Sequence, residues 1–135
     1  MRGEIFVIVH ATEDYNKVIN CMFRVLKISH SHSRIIRQDL SGHYGNPITY
    51  ARIMLDHEDT RNLLENIFKN LSESDLNEFL ASIEEYFDRS TLYIRLDKQY
   101  LCAGVIRLFV KDPLKIVVRG VSRKYIEDLI KRVRS

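Results

Sequence analysis

An α+β fold, with helices packed on one face of a mostly antiparallel sheet, is what this sequence predicts, and three observations carry the prediction. Residues 35–41, 48–56 and 91–97 alternate apolar with polar, the signature of strands with one buried face. Between such stretches stand others with apolar residues at i, i+3 and i+4, the spacing of amphipathic helices. The first two alternating runs are joined by Gly42-His43-Tyr44-Gly45-Asn46-Pro47, whose glycines and Asn-Pro suit a hairpin and so set neighbouring strands antiparallel.

Taken in order, residues 5–9 are apolar on both sides, as in a strand covered twice or lying centrally in a sheet. Thr12 is placed to cap a helix whose first turn carries Glu13 and Asp14 and whose stripe is Tyr15, Val18, Ile19, Met22 and Leu26. His30 and His32 alternate in a polar loop without the Cys or carboxylate spacing of a zinc site, so no metal is assigned there. In the hairpin, Ile36, Leu40, Ala51, Ile53 and Leu55 are expected to face the core, leaving Arg37, Asp39, Tyr50 and Arg52 opposite. Leu63, Leu64, Ile67, Phe68 and Leu71 mark a second helix. Ser72 opens a third, with Leu76, Phe79, Leu80, Ile83 and Phe87 inward, and the two form an αα-hairpin with an acidic exterior. Leu92, Ile94 and Leu96 are the buried side of the next strand. After an irregular connection at 98–104, residues 105–110 and 115–119 read as strands flanking Asp112-Pro113. Ser122 caps a last helix with Ile126, Leu129, Ile130 and Val133 buried. The expected order is β-α-β-β-α-α-β-β-β-α.

At 135 residues the chain is expected to form one domain spanning 1–135, long enough to bury about two-thirds of its unfolded surface without staples. No stretch reads as a signal peptide or membrane span, and Cys21 and Cys102 lack CxxC spacing; buried thiols and a cytoplasmic protein are the expectation. Net charge is +3, unevenly distributed. Residues 56–88 hold ten acidic side chains against Arg61 and Lys69, whereas the remainder holds nineteen basic against eight acidic. A basic surface of that size attracts polyanions, of which nucleic acid is the commonest in cells.

Arg37, Arg52, Arg95, Arg107 and Arg119 fall near the middle of separate expected strands, with Tyr50 and Tyr93 two residues from an arginine. If these share an open sheet face, they form a guanidinium and aromatic platform able to meet phosphates and stack on bases; otherwise they pair with carboxylates such as Asp39, Asp97 or Glu4. Arg123 and Lys124, with Lys131, Arg132 and Arg134, are a second contact set. No P-loop, GxGxxG, HExxH or GxSxG occurs, so neither a catalytic residue nor a cofactor is assigned. Asp39, His43, Asp56 and His57 would suit a metal-dependent hydrolase or nuclease only if the two ends of the hairpin met.

His10-Ala11-Thr12-Glu13-Asp14, Gly42-His43-Tyr44-Gly45-Asn46-Pro47-Ile48, and Asp97-Lys98-Gln99 followed by Gly104 resemble the three signatures of a small archaeal RNA-binding family described as a predicted exosome subunit. The family is similar in fold to ribosomal protein L5. The resemblance implies a non-catalytic RNA-binding module, an accessory of RNA processing or degradation, with RNA and proteins of an RNA-processing complex as partners. An interaction subunit docking through its acidic helices is the alternative, and an edge strand leaves homodimer formation open.

Overall fold

In the computed structural model, which describes residues 1–29, 34–41 and 45–135, eleven α and β elements and one 3-10 turn follow in order. They are β1 (Arg2–His10), α1 (Tyr15–Leu26), β2 (Arg34–Ser41), β3 (Pro47–Leu55), α2 (His57–Asn70) and α3 (Glu73–Ala81). The turn (Ile83–Tyr86) leads to β4 (Phe87–Asp88), β5 (Thr91–Asp97), α4 (Lys98–Cys102), β6 (Pro113–Arg119) and α5 (Arg123–Val133). The six strands form one antiparallel sheet in the order β2-β3-β1-β6-β5-β4, with β1 central and β2 and β3 the predicted hairpin.

Opposed residues of an antiparallel ladder share a face, so the register sorts every strand residue. Ile5, Val7 and Val9 pair with Ile53, Ala51 and Thr49 of β3; Ile5 also pairs with Ile116 of β6, which pairs with Ile94 of β5. The aliphatic residues of this face merge into one core with Val18, Met22 and Leu26 of α1, Leu63, Leu64 and Phe68 of α2, Phe79 of α3, Leu101 of α4 and Ile126 of α5. The helices therefore cover one face only, and β1, apolar in both phases, presents Phe6 and Ile8 on the uncovered one.

Local rules set most boundaries. Asp56, Ser72 and Ser122 cap α2, α3 and α5 by accepting from Asp59, Asp75 and Tyr125 N–H. The cap of α1 is Asp14, which accepts from Lys17 N–H, not the expected Thr12; Glu13 turns back instead to the end of β1. Arg134 donates to the carbonyls of Phe68, Lys69 and Leu71, fastening α5 to the end of α2.

Four expectations are corrected. The phase of β2 is shifted by one: Ile36 opposes Arg52 and Leu40 opposes Ile48 on the uncovered face, while Arg37 and Asp39 oppose Ala51 and Thr49 on the helix side. As the outermost strand, β2 has no burial to discipline its phase, and all eight residues are exposed. The third helix stops at Ala81, leaving Leu80 exposed and Phe87 in β4. Residues 98–102 are helical because Asp97 accepts from the N–H groups of Gln99 and Tyr100. Residues 105–110 form no strand: they meet β5 in the single bridge Leu96–Leu108, flanked by hydrogen bonds from Asp97 N–H to Arg107 carbonyl and from Phe109 N–H to Arg95 carbonyl, while β4 pairs with Thr91 and Leu92 further along that edge. Cys21 is buried as expected and Cys102 half-buried; burial first, then its neighbour Cys21, pushes the Cys102 thiol up to about 11.

Gly3 lets the first turn of α2 approach β1. Thr60 Oγ accepts from Gly3 N–H at 2.8 Å and donates to Asp56 carbonyl at 2.6 Å, and a Cβ on residue 3 would lie 2.9 Å from that oxygen. Thr60→Val keeps the shape but strands the Gly3 donor, so the urea midpoint should fall by the equivalent of about 1–3 kcal/mol with unchanged m-value.

Candidate functional site

On the uncovered face, register gathers side chains from every strand. Arg34, Ile36, Gln38 and Leu40 come from β2, Tyr50 and Arg52 from β3, Arg2, Glu4, Phe6 and Ile8 from β1, Lys115 and Arg119 from β6, Tyr93 and Arg95 from β5. Among the described residues, six cations thus stand against Glu4, Asp88 of β4 and Asp97 of β5, the last buried and engaged in capping α4. Phe6 is the centre: its ring lies 6.1 Å from that of Tyr50, the Arg52 guanidinium sits 5.7 Å from it, and Lys115 opposes it across the ladder. Lys115 Nζ also lies 5.9 Å from the Tyr93 ring. A hollow of about 300 Å³ lined by Phe6, Ile8, Tyr50, Pro113 and Lys115 opens here, with an aromatic floor and a cationic rim.

The cations differ in how firmly they are engaged. Glu4 takes two hydrogen bonds from Arg52 and one from Arg119, all 3.0 Å. Arg52 above all holds the Glu4 carboxyl below its usual range, against the opposing pull of burial. Arg2, Arg34, Arg95 and Lys115 have no ion pair among the described residues.

Of the five strand arginines, Arg52, Arg95 and Arg119 share this face with Tyr50 and Tyr93. Arg37 lies on the helix side, 4.1 Å from the Tyr15 ring centre and 3.3 Å from Asp39. Arg107 sits in the segment after α4, stacked near Tyr100 and Phe109. Arg123 pairs with Glu84 and Glu127 in the helical layer, where Lys124 is exposed; neither is near the open face in sequence register. Arg2, Arg34 and Lys115 were missed, and their signal was the alternation that placed Glu4, Phe6 and Arg52 in phase with them.

A second cluster closes one end of the sheet. Lys98, 2 % exposed, donates to Ile8 carbonyl at 2.7 Å, Glu13 at 2.9 Å and Asp112 at 2.9 Å. Glu13 also accepts from His10 N–H, and Gln99 reaches its other oxygen at 3.5 Å. His10 Nε2 lies 3.0 Å from Asp112 Oδ1. Asp112 reaches both from a backbone φ of 45°, a conformation that favours Asn, Asp and Gly. The first and third sequence signatures therefore meet through one ammonium. His10, Glu13 and Asp112 would suit a metal, but Lys98 Nζ lies within hydrogen-bond reach of both carboxylates. Thr12 is exposed beside them, Asp14 caps α1 and Asp97 caps α4. Of the second signature, Gly45, Asn46 and Pro47 lie at the same end, where Ile48 opposes His10. Gly42 and His43, with His30 and His32, lie outside the described residues. Asp39 and Asp56 are not brought together: Asp39 opposes Thr49, whereas Asp56 follows the far end of β3 and caps α2.

A family model described as RNA binding matches residues 4–120, which include all six strands but for the first residues of β1. The chain belongs to this RNA-binding family. Protein SSO0741 from Sulfolobus solfataricus, titled a DUF54 family protein, is 29% identical with a TM-score of 0.83, over 99% of this chain and 98% of that one. AF2318 from Archaeoglobus fulgidus is 28% identical with a TM-score of 0.73 (98% and 96% covered), and Mth689 from Methanothermobacter thermautotrophicus 25% with 0.67 (98% and 94%). No curated protein matches by sequence. No helix among the described residues is long and apolar enough to cross a membrane.

Removing the Lys98 ammonium leaves Glu13 and Asp112 with only their contacts to His10 and Gln99, so Lys98→Met should cost about 3 kcal/mol, moderated because both carboxylates retain access to water. Partial burial raises the Asp112 pKa, but hydrogen bonds from His10 and Lys98 outweigh it and hold the carboxyl below its ordinary range. A depressed folded pKa gives stability that is full above the unfolded value, near pH 4, and lost as pH falls through the folded one. Urea midpoints taken from about pH 7 to about pH 3 should therefore show the gap between wild type and variant narrowing below about pH 4.

Proposed function

We propose that the protein is a non-catalytic RNA-binding module that receives phosphates and unstacked bases on the uncovered face of its sheet. The observation that carries this reading is the company the cations keep: among the described residues, Arg95, Lys115 and Arg2 have no carboxylate partner, and they share with Phe6, Tyr50 and Tyr93 the sheet face opposite the described helices. Cations meet the backbone and aromatic rings stack on bases without demanding a sequence. Membership in the RNA-binding family supports the same ligand.

Two further arrangements favour this over the alternatives. Glu65 of α2 is paired with Arg132 at 2.9 Å and Glu84 of the turn after α3 with Arg123 at 2.8 Å, which takes these two charges out of a docking surface built on the acidic helices. At the sheet end, all three Lys98 protons are engaged by Ile8, Glu13 and Asp112, the mark of a structural ammonium rather than a proton donor in a reaction. An accessory role in RNA processing or degradation, within an exosome-type assembly, is the biological setting we infer from the three signatures.

Fluorescence anisotropy with a labelled single-stranded RNA across a salt series tests the reading. Affinity should fall steeply with salt, and Arg95→Ala with Lys115→Ala should weaken binding and reduce the log–log slope by about 1.4, roughly 0.7 for each phosphate contact on a single strand. Unchanged affinity in that variant, with loss in Arg123→Ala plus Lys124→Ala, would move the site to α5.

A further inference from the structure

Strand β2 ends the sheet in an edge with which no described strand pairs. It lies outermost, all eight residues are exposed, and it holds neither Pro nor Lys. Its outward N–H and C=O groups have no ladder partner among the described residues, and such a row is a template for another strand. Ile35, Ile36 and Leu40 are each about 40 % exposed along it.

We propose that β2 pairs antiparallel with β2 of a second copy of this chain, across a two-fold axis at Gln38. The register follows from the strand's own side chains. A two-fold axis perpendicular to the sheet keeps both uncovered faces on one side, and opposed residues must share a face, so the axis passes through a residue. Centred on Gln38, Arg37 opposes the partner's Asp39 and Ile36 opposes the partner's Leu40, each pair occurring twice. Centred on Arg37, two guanidinium groups oppose each other and Ile36 meets an amide. Centred on Asp39, two carboxylates meet. Only the first register matches charge with opposite charge and apolar with apolar, and cross-strand pairs of both kinds are stabilising.

Both charges are already held at the edge. Arg37 stacks on Tyr15, and Asp39 accepts from the Thr49 hydroxyl at 2.8 Å as well as from Arg37. Pairing would add the partner's charge to each without rearranging either. The product is a twelve-stranded sheet in which the two uncovered faces join into one, Ile36 and Leu40 of both copies closing the seam. The dimer rests on β2 alone and stands whether or not the face binds RNA.

Sedimentation equilibrium of the full chain tests it. Wild type should be dimeric at micromolar concentration. Asp39→Arg should raise the dissociation constant at least about tenfold, because two attractive pairs become repulsive. Arg37→Asp combined with Asp39→Arg restores complementarity and should return it to within about threefold of wild type. Leu40→Lys, at an exposed position that leaves the core untouched, should dissociate the dimer even if the charge variants fold poorly. A monomeric wild type, or a dimer that neither Asp39→Arg nor Leu40→Lys weakens, overturns the proposal.

Discussion

The five described helices pack on the same side of the sheet, and most of what distinguishes the two faces follows from that constraint. A strand covered once must hold aliphatic residues in one phase and something compatible with water in the other. The covered phase is Ile, Val and Leu from β3 across to β5, and it merges with the apolar stripes of the helices into one core. The other phase could have been filled with Thr, Ser and mixed charge. Instead it carries aromatic rings at its centre and a surplus of cations around them, with Glu4 clasped by two arginines and so removed as a competitor for an incoming phosphate. The face is therefore more than the solvated back of a sheet.

Lys98 ties down the end of this platform. A fully engaged buried ammonium joins the carbonyl of Ile8 on β1 and the nearby loop leading to α1 to the turn before β6, about a hundred residues further along the chain. Burying the cation is tolerable because two carboxylates and a carbonyl take its protons, and the arrangement specifies one geometry at the place where Ile8 and Pro113 frame the hollow beside Phe6. His10, Glu13, Lys98 and Asp112 thus bear on the face indirectly, by fixing the strand ends that bound it.

Much of this could be read from residue order, and the exceptions have physical causes. Where burial imposes a phase, as in β1, β3, β5 and β6, alternation alone put Arg52, Arg95, Tyr50 and Tyr93 on the correct side. At β2, exposed on both faces, Ile36 and Leu40 looked like core residues and turned out to face water, which displaced Arg37 to the helix side. Residues 105–110 have the alternation of a strand, but they touch the β5 edge only around Leu96, and that edge is shared with Phe87 and Asp88 of β4, an arrangement no local pattern contains. Lys98 as the link between two signatures was likewise illegible, because its partners lie more than eighty residues away on one side and fourteen on the other. The α5 cations looked free in sequence and are partly engaged by the acidic helical layer they pack against.

The central claim is that the uncovered sheet face is where RNA lies. Ultraviolet cross-linking of the full chain to a short uridine-rich single strand, followed by mass-spectrometric mapping of the adducts, addresses it directly, because a zero-length cross-link forms only where a base is in contact with a side chain. Adducts concentrated on Phe6, Tyr50 and Tyr93 are the predicted result. Adducts confined to the helical layer, at Tyr125 or Tyr86, with none on the sheet, would contradict it.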